Sequence, residues 1–380
     1  MLGECQSKCE HIAGAPLDPE IAKQLHTLYL LKGIRGTAAI EGNTLTEAEI
    51  QKKIDGSLVL PPSREYLGQE VQNIVDGLGR VLSQAMDGKP LRLCRETFET
   101  LNSILLGNLE REDDVRPGEV RKNSVGVLRY RGAPAEDCCY LLDRLGDWLR
   151  GKDFEGPLQL STSLAILKAI VAHLYLAWIH PFGDGNGRTA RLVEFSILFS
   201  AGIPTPAAHL LSNHYNLTRS EYYRQLEYAS ESGGDITRFV KYAVQGLLDG
   251  LREQLEAVRN SQLSKIWKNY VFEAFGNTTS AARVRQRQLV LDLSKEASPV
   301  RVSKLMPLSP ATALAYGGAK LKLSRDLNEL QRMGLILRSR NGVTANKDLV
   351  KAFLPMRAVG PINVTIEGQT VPAIQPNSTT

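Results

Sequence analysis

The stretch "IHPFGDGNGRTAR" (Ile179–Arg191) follows directly on the apolar run "LAILKAIVAHLYLAW" (Leu164–Trp178). That run has no glycine or proline and is long enough for about four helical turns, so it reads as a helix apolar enough to be buried. After the loop, "TARLVEFSILFSAG" returns to a helical apolar pattern and stops at Gly202, a residue suited to a helix end. A polar loop with three glycines is thus mounted between two core helices. Such a loop is either an ordinary turn or a set of charges aimed at something.

The residue types favour the second reading. Gly183, Gly185 and Gly187 let the backbone curl its N–H groups toward one point, beside the unpaired N–H groups of the helix that follows. Arg188 begins that helix, and Arg191 lies three residues on along the same face. Two guanidinium groups over an anion nest suit a polyphosphate better than a single carboxylate. Asp184 is a hard oxygen ligand in the same loop, where Mg²⁺ bridging phosphates needs one protein carboxylate and several waters. His180, at the loop entrance, can take a proton from an attacking hydroxyl near neutral pH. There is no GxxxxGK[ST] P-loop, and G-D-G-N-G is not GxGxxG.

The flanks read as further helices. "PEIAKQLHTLYLLKGI" has helical apolar spacing, and "TEAEIQKKI" opens with a capping box, Thr46 and Glu49. "REYLGQEVQNIVDGLGRVL", "CRETFETLNSILLGNL", "CYLLDRLGDWLRG", "LTRSEYYRQLEYASES" and "DITRFVKYAVQGLLDGLREQLEAV" follow the same pattern. Only "SVGVLRY", inside a Gly-, Pro- and Arg-rich segment, reads as a hairpin. The expected fold is mainly α: a helical core with one small hairpin.

The net charge of +5 conceals an asymmetry. Residues 259–350 hold 16 Lys and Arg against 6 Asp and Glu, a net of +10, whereas residues 1–258 hold 28 against 34, a net of −6. In the basic part, two helices and a turn precede a hairpin signal at Asn341-Gly342, the order of a winged helix-turn-helix. Its anionic partner could be DNA; a merely solvated basic surface and a protein-recruiting platform are the other readings. Five cysteines without CxxC spacing suggest neither a zinc site nor a disulfide framework. The N-terminal "MLGECQSKCEHIAG" lacks a signal's apolar stretch, and no uninterrupted apolar run reaches about 18 residues. A cytoplasmic protein with no membrane span is expected. The divisions expected are a helical region at 18–110, a core at 111–255, the winged-helix-like domain at 260–355 and a tail at 356–380.

"HPFGDGNGRTAR" matches the HPFx[D/E]GNGRxxR motif of the Fic family at every fixed position, and the chain resembles that family over roughly residues 18–250. The resemblance implies a Fic-type all-α core that transfers AMP from Mg-ATP to a Ser, Thr or Tyr hydroxyl of a protein, the enzyme itself included. By the same resemblance His180 is the base and Asp184 holds Mg²⁺. Asn186, with the Gly185 and Gly187 amides, holds the α-phosphate; Arg188 holds the β-phosphate region and Arg191 the γ-phosphate. Phe182 anchors the loop. Upstream, Thr37-Ala-Ala-Ile-Glu41-Gly42 fits the family's inhibitory [S/T]xxxE[G/N], on a helix expected at about 34–42. The resemblance implies that Glu41 pairs with Arg191 and takes the γ-phosphate's place. It also implies a hairpin flap at Val125, Gly126 and Val127 that aligns the target backbone by strand addition. Tyr222 is placed near the base, with Ser230 where many relatives carry asparagine. Removal of AMP instead of addition, a DNA-binding regulator with a nucleotide-sensing core, γ-phosphoryl, UMP or phosphocholine transfer, and a homodimer stay open.

Overall fold

The computed structural model describes residues 1–89, 91–110, 114–124, 126–127, 130–277, 280–351, 364–366 and 369–371. The chain divides into two compact units, Met1–Arg259 and Asn260–Thr380.

The first unit is helical. It opens with α1 (Leu2–Gly14), α2 (Pro19–Ile40), α3 (Glu47–Ile54), α4 (Glu65–Met86) and α5 (Arg95–Leu105). A short hairpin, β1 (Gly126–Val127) and β2 (Tyr130–Arg131), pairs Gly126 with Arg131 and Val127 with Tyr130. Then follow α6 (Cys138–Arg150), α7 (Ser161–Ile179) and α8 (Asn186–Ser200). The short α9 (Thr205–Ala208) leads to α10 (Leu210–Leu217), α11 (Arg219–Glu231) and the long α12 (Thr237–Phe275), whose residues from Asn260 on belong to the second unit.

One hydrophobic core runs through this unit, with α7 and α8 at its centre: Ile166, Ile170, Leu174, Ala190, Val193 and Leu198 are all buried completely. The expected 18–110 and 111–255 regions share that core. So does α1, for which the sequence offered no role; Cys5 and Cys9, four apart on one face, are both buried free thiols. The Thr46–Glu49 capping box forms, with Glu49 N–H donating to Thr46 Oγ1 at 3.2 Å and Thr46 N–H donating to Glu49 Oε2 at 2.8 Å. Gly202 ends α8 at φ +80°, as its position suggested.

Leu158–Ile179 has a mean hydropathy of 1.6 and is long and apolar enough to cross a membrane by those criteria alone. The sequence reading looked for an unbroken apolar run, and Lys168, His173 and the serines hide the average. Within the fold 56% of this window is buried, and the central His173 is fully enclosed among polar partners, so it serves as the core helix.

The second unit has its own core, built from Trp267, Val271, Leu289, Leu305, Tyr316, Leu327, Leu330, Ile336 and Val343. It contains α13 (Ala281–Leu293), α14 (Pro310–Tyr316), α15 (Lys320–Arg332) and the antiparallel pair β3 (Ile336–Ser339) and β4 (Gly342–Ala345). The hairpin turn lies at Arg340-Asn341, one residue before the Asn-Gly pair that signalled it. Gly342 is instead the first residue of β4, at φ +142°, where a Cβ would lie 2.5 Å from the Val300 carbonyl oxygen. Glycine is required there because Val300 bridges to Val343 as a third, single-residue strand. Within the expected tail, β5 (Val364–Ile366) pairs with β6 (Gln369–Val371).

Candidate active site

The motif loop is shaped by its own backbone and side chains. His180 caps α7 in the left-handed region, φ 48° and ψ 55°, which only a demanding environment imposes on a non-glycine residue. Asn186, at the start of α8, accepts from Phe182 N–H at 2.9 Å and donates to Phe182 O at 2.8 Å. These two bonds close the loop into a tight bracket, and they occupy the Asn186 side chain. Any anion would therefore meet Asn186 through its backbone N–H, one of the first-turn amides of α8 without an intrahelical acceptor. Gly185, at φ +75°, packs so closely on Asn102 and Leu106 that a Cβ would approach both at 3.0–3.1 Å.

Residues distant in sequence hold the bracket from behind, and the sequence reading missed them. Asn102 of α5, fully buried, donates to Asp184 O at 2.9 Å and accepts from Gly118 N–H at 2.9 Å. Arg121 is 7% exposed and donates Nε to His180 O at 2.7 Å and Nη1 to Asn123 O at 2.7 Å, and it also donates to Ala133 O. Its own N–H bonds Pro181 O at 2.9 Å, while Val120 bridges to Phe182. One side chain thus ties both roots of the β1–β2 hairpin to the residue at the loop mouth. The only sequence signal was "RPGEVRK", a charged spot in an irregular segment.

The loop opens onto a cleft of about 990 Å³. His180, Asp184, Gly185, Asn186, Gly187, Arg191, Glu41 and Tyr222 all line it, together with Tyr223, Arg224, Glu227 and Ser230. Arg188 does not; it is 4% exposed and directed to Asp184, at 3.0 Å to each carboxylate oxygen, and to Glu70 of α4 at 3.2 Å. Glu70 is itself held by Asn43 Nδ2 at 2.8 Å. Among the hairpin residues, Val125 lies outside the described residues, while Gly126 and Val127 stand in β1.

Arg191 is 1% exposed and donates to Glu41 Oε1 at 2.5 Å and to Thr37 O at 3.1 Å. The pair is the one the sequence anticipated, and Glu41 sits at the C-cap of α2, a helix far longer than the expected 34–42. Gly187 faces this contact: a Cβ there would collide with Glu41 Oε1 and lie 3.1 Å from an Arg191 nitrogen. Arg191 Nε and Nη1, and Arg188 Nε, are buried without a hydrogen-bond partner among the described residues. Burial disfavours charge on Glu41, but the neighbouring Arg191 guanidinium outweighs it and holds the carboxyl below the usual carboxylate range. Burial pushes His180 below the ordinary imidazole value, and the positive Arg121 acts in the same direction. His180 Nδ1 faces Ala177 O at 3.4 Å.

Behind the cleft, Tyr222 donates to or accepts from His173 Nε2 at 2.9 Å, His173 Nδ1 lies 3.4 Å from Glu194, and Tyr215 donates to Glu194 at 2.9 Å. Tyr222 is 3% exposed, with its ring against Tyr215 and Tyr223. Ser230 donates to Leu226 O within α11. Among the described residues no group of three potential metal ligands occurs.

Residues 92–198 match the model of the Fic/DOC family. Caenorhabditis elegans protein adenylyltransferase fic-1 is 28% identical over 237 residues, 60% of this chain and 43% of that protein. The Drosophila mojavensis protein adenylyltransferase Fic is 32% identical over 213 residues, 54% of this chain and 37% of that protein. The chain therefore spans less than half the length of these relatives. Among solved structures, C. elegans Fic-1 (residues 134–508) superposes with a TM-score of 0.54 at 25% identity, over 68% of this chain and 72% of that one. A Fic family protein from Desulfovibrio desulfuricans covers 90% of this chain and 91% of its own at a TM-score of 0.53 and 22% identity, a likeness of fold.

Proposed function

We propose, from the premise that the chain carries a Fic domain, that it is a protein adenylyltransferase held back by Glu41. The observation that carries this reading is the convergence on one cleft of His180, the Gly185–Gly187 backbone and a buried Arg191 with two unpartnered guanidinium nitrogens. A polyphosphate supplies what those nitrogens and the α8 amides lack. His180 would take the proton of a target Ser, Thr or Tyr hydroxyl, whose oxygen bonds to the α-phosphorus of ATP as the bond to pyrophosphate breaks. Its depressed pKa keeps the ring neutral and ready to accept at pH 7. The α8 amides would stabilise charge on the α-phosphate and Arg191 charge on the leaving pyrophosphate; Arg188 would add to this only on release from Asp184. Tyr222, fixed by His173, would wall the base.

A metal fits this site as a companion of the nucleotide. Asp184 is one carboxylate with a half-exposed side chain at the cleft, and Mg²⁺ accepts one carboxylate plus phosphate and water oxygens. Asp184 would hold the ion after loosening from Arg188, and the ion would neutralise phosphate charge. The hairpin at Gly126–Val127 would dock the target's backbone as an added strand, secured through Arg121. A cytoplasmic setting agrees with the five free cysteines.

The Glu41→Gly variant, incubated with lysate and ATP labelled on the α- or γ-phosphate, tests the reaction. Protein labelled from the α-position alone is expected, on target or on the enzyme itself. Labelling from γ alone sinks AMP transfer and favours a kinase-like reaction.

A further inference from the structure

Part of the second unit's basic charge is committed to internal ion pairs and part is not. Among the described residues five cations are committed internally: Arg283 and Arg332 to Glu329, Arg285 to the buried Asp326, Lys295 to the buried Asp292, and Lys351 to Asp348. A second set has no acidic partner among the described residues: Lys320, Lys322 and Arg325 on α15, Arg338 and Arg340 at the β3–β4 turn, and Arg301. All six are exposed.

Their placement is coherent. α15 buries Leu323, Leu327 and Leu330 on one face, which turns Leu321, Arg325 and Asn328 to the opposite side, with Ser324 beside them. No unpaired acid stands on that outer face; Glu329 is held by Arg332 and Arg283. The β3–β4 pair follows α15 immediately and packs through Ile336 into the same core. Arg301 adjoins the Val300–Val343 bridge, next to Gly342 and so to the turn carrying Arg340.

We propose that the outer face of α15 and the β3–β4 turn form a binding surface for double-stranded DNA. An α-helix with side chains is about 10–12 Å across and enters a major groove about 12 Å wide. Ser324, Arg325 and Asn328 are residue types that hydrogen-bond base edges, while Lys320, Lys322, Arg301, Arg338 and Arg340 meet phosphates. A protein partner fits less well. The exposed apolar side chains on these elements, Leu321 of α15, Leu337 of β3 and Val302 beside Arg301, are isolated among cations and are too few to make the roughly 800 Å² a stable protein interface buries on each side. This surface makes no use of the nucleotide cleft, so its failure would leave the AMP-transfer reading untouched.

The test is anisotropy of a labelled random-sequence 30-base-pair duplex titrated with the full chain. With about five phosphates neutralised, affinity should fall by roughly 5 × 10²-fold between roughly 50 and 200 mM salt. Lys320→Glu/Lys322→Glu/Arg325→Glu should abolish binding while keeping the wild-type melting curve, since all three side chains are exposed. Should that variant melt early, Lys322→Gln alone should weaken binding several-fold and reduce the salt slope by about one. The proposal is overturned by absence of duplex binding at low salt, by undiminished binding of the folded charge-reversal variant, or by tighter binding to single-stranded RNA of equal length.

Discussion

Arg191 carries a full charge at 1% exposure, and its Glu41 partner keeps 30% of its side-chain surface. A buried guanidinium with two unpartnered nitrogens is costly unless a ligand completes it. On the proposed mechanism, that asymmetry would let a phosphate replace Glu41. His180→Ala should lower AMP transfer by at least about 10²–10⁴-fold, with an unchanged circular-dichroism spectrum. The pH profile follows from the direction of the His180 shift. A base must be neutral, and a lowered pKa keeps it neutral further into acid. Transfer by the Glu41→Gly variant should therefore decline only below the usual imidazole value of about 6.5, as pH falls through the lowered pKa. An acid limb centred above 7 would contradict this. His180, Asp184, Arg191 and Glu41, which the fold brings to one cleft, could be singled out because they sit within two short runs; Arg188, singled out with them, does not line that cleft. Asn102 and Arg121 were not, because they act on carbonyls 82 and 59 residues away.

At the scale of elements, α2 places Glu41 through close packing on α10. Gly36 sits where a Cβ would come 2.7 Å from the Ser212 carbonyl oxygen, so glycine is needed despite its cost within a helix. On an open helix Gly→Ala would stabilise by up to about 1 kcal/mol. Here Gly36→Ala should destabilise by about 1–3 kcal/mol in urea unfolding, because backbone atoms must separate. The hairpin offers a second test at this scale. Arg121→Met strips three carbonyls of their donor and unties the flap from His180. Protein labelling should fall at least tenfold while ATP affinity, read by calorimetry, stays within about twofold, since Arg121 does not line the cleft. A parallel loss of ATP affinity would show that Arg121 only maintains the fold. Helix existence was legible from apolar periodicity; the turn at Arg340-Asn341 was not, because Gly342 serves the Val300 bridge and not the turn.

At the scale of the molecule there are two hydrophobic cores, one under the cleft lined by His180 and Arg191 and one under the basic face of α15. Charge asymmetry announced that division in the sequence, whereas the packing of α1 against the first core left no local signature. Trp148 and Trp178 report on the first core and Trp267 on the second. ATP at 100 times its Kd should stabilise the first unit of Glu41→Gly by about 2.7 kcal/mol. Fluorescence from a Trp267→Phe variant should follow that shift.

The central claim is that Glu41 and the γ-phosphate compete for Arg191. It is tested most directly by the rate of AMP transfer from α-labelled ATP, measured side by side for wild type and Glu41→Gly at equal protein and ATP concentrations. The account predicts a rise of at least about tenfold in the variant, since a phosphate contact worth about 1.4 kcal/mol or more is released. A variant no faster than wild type, while still folded and still binding ATP, would contradict it.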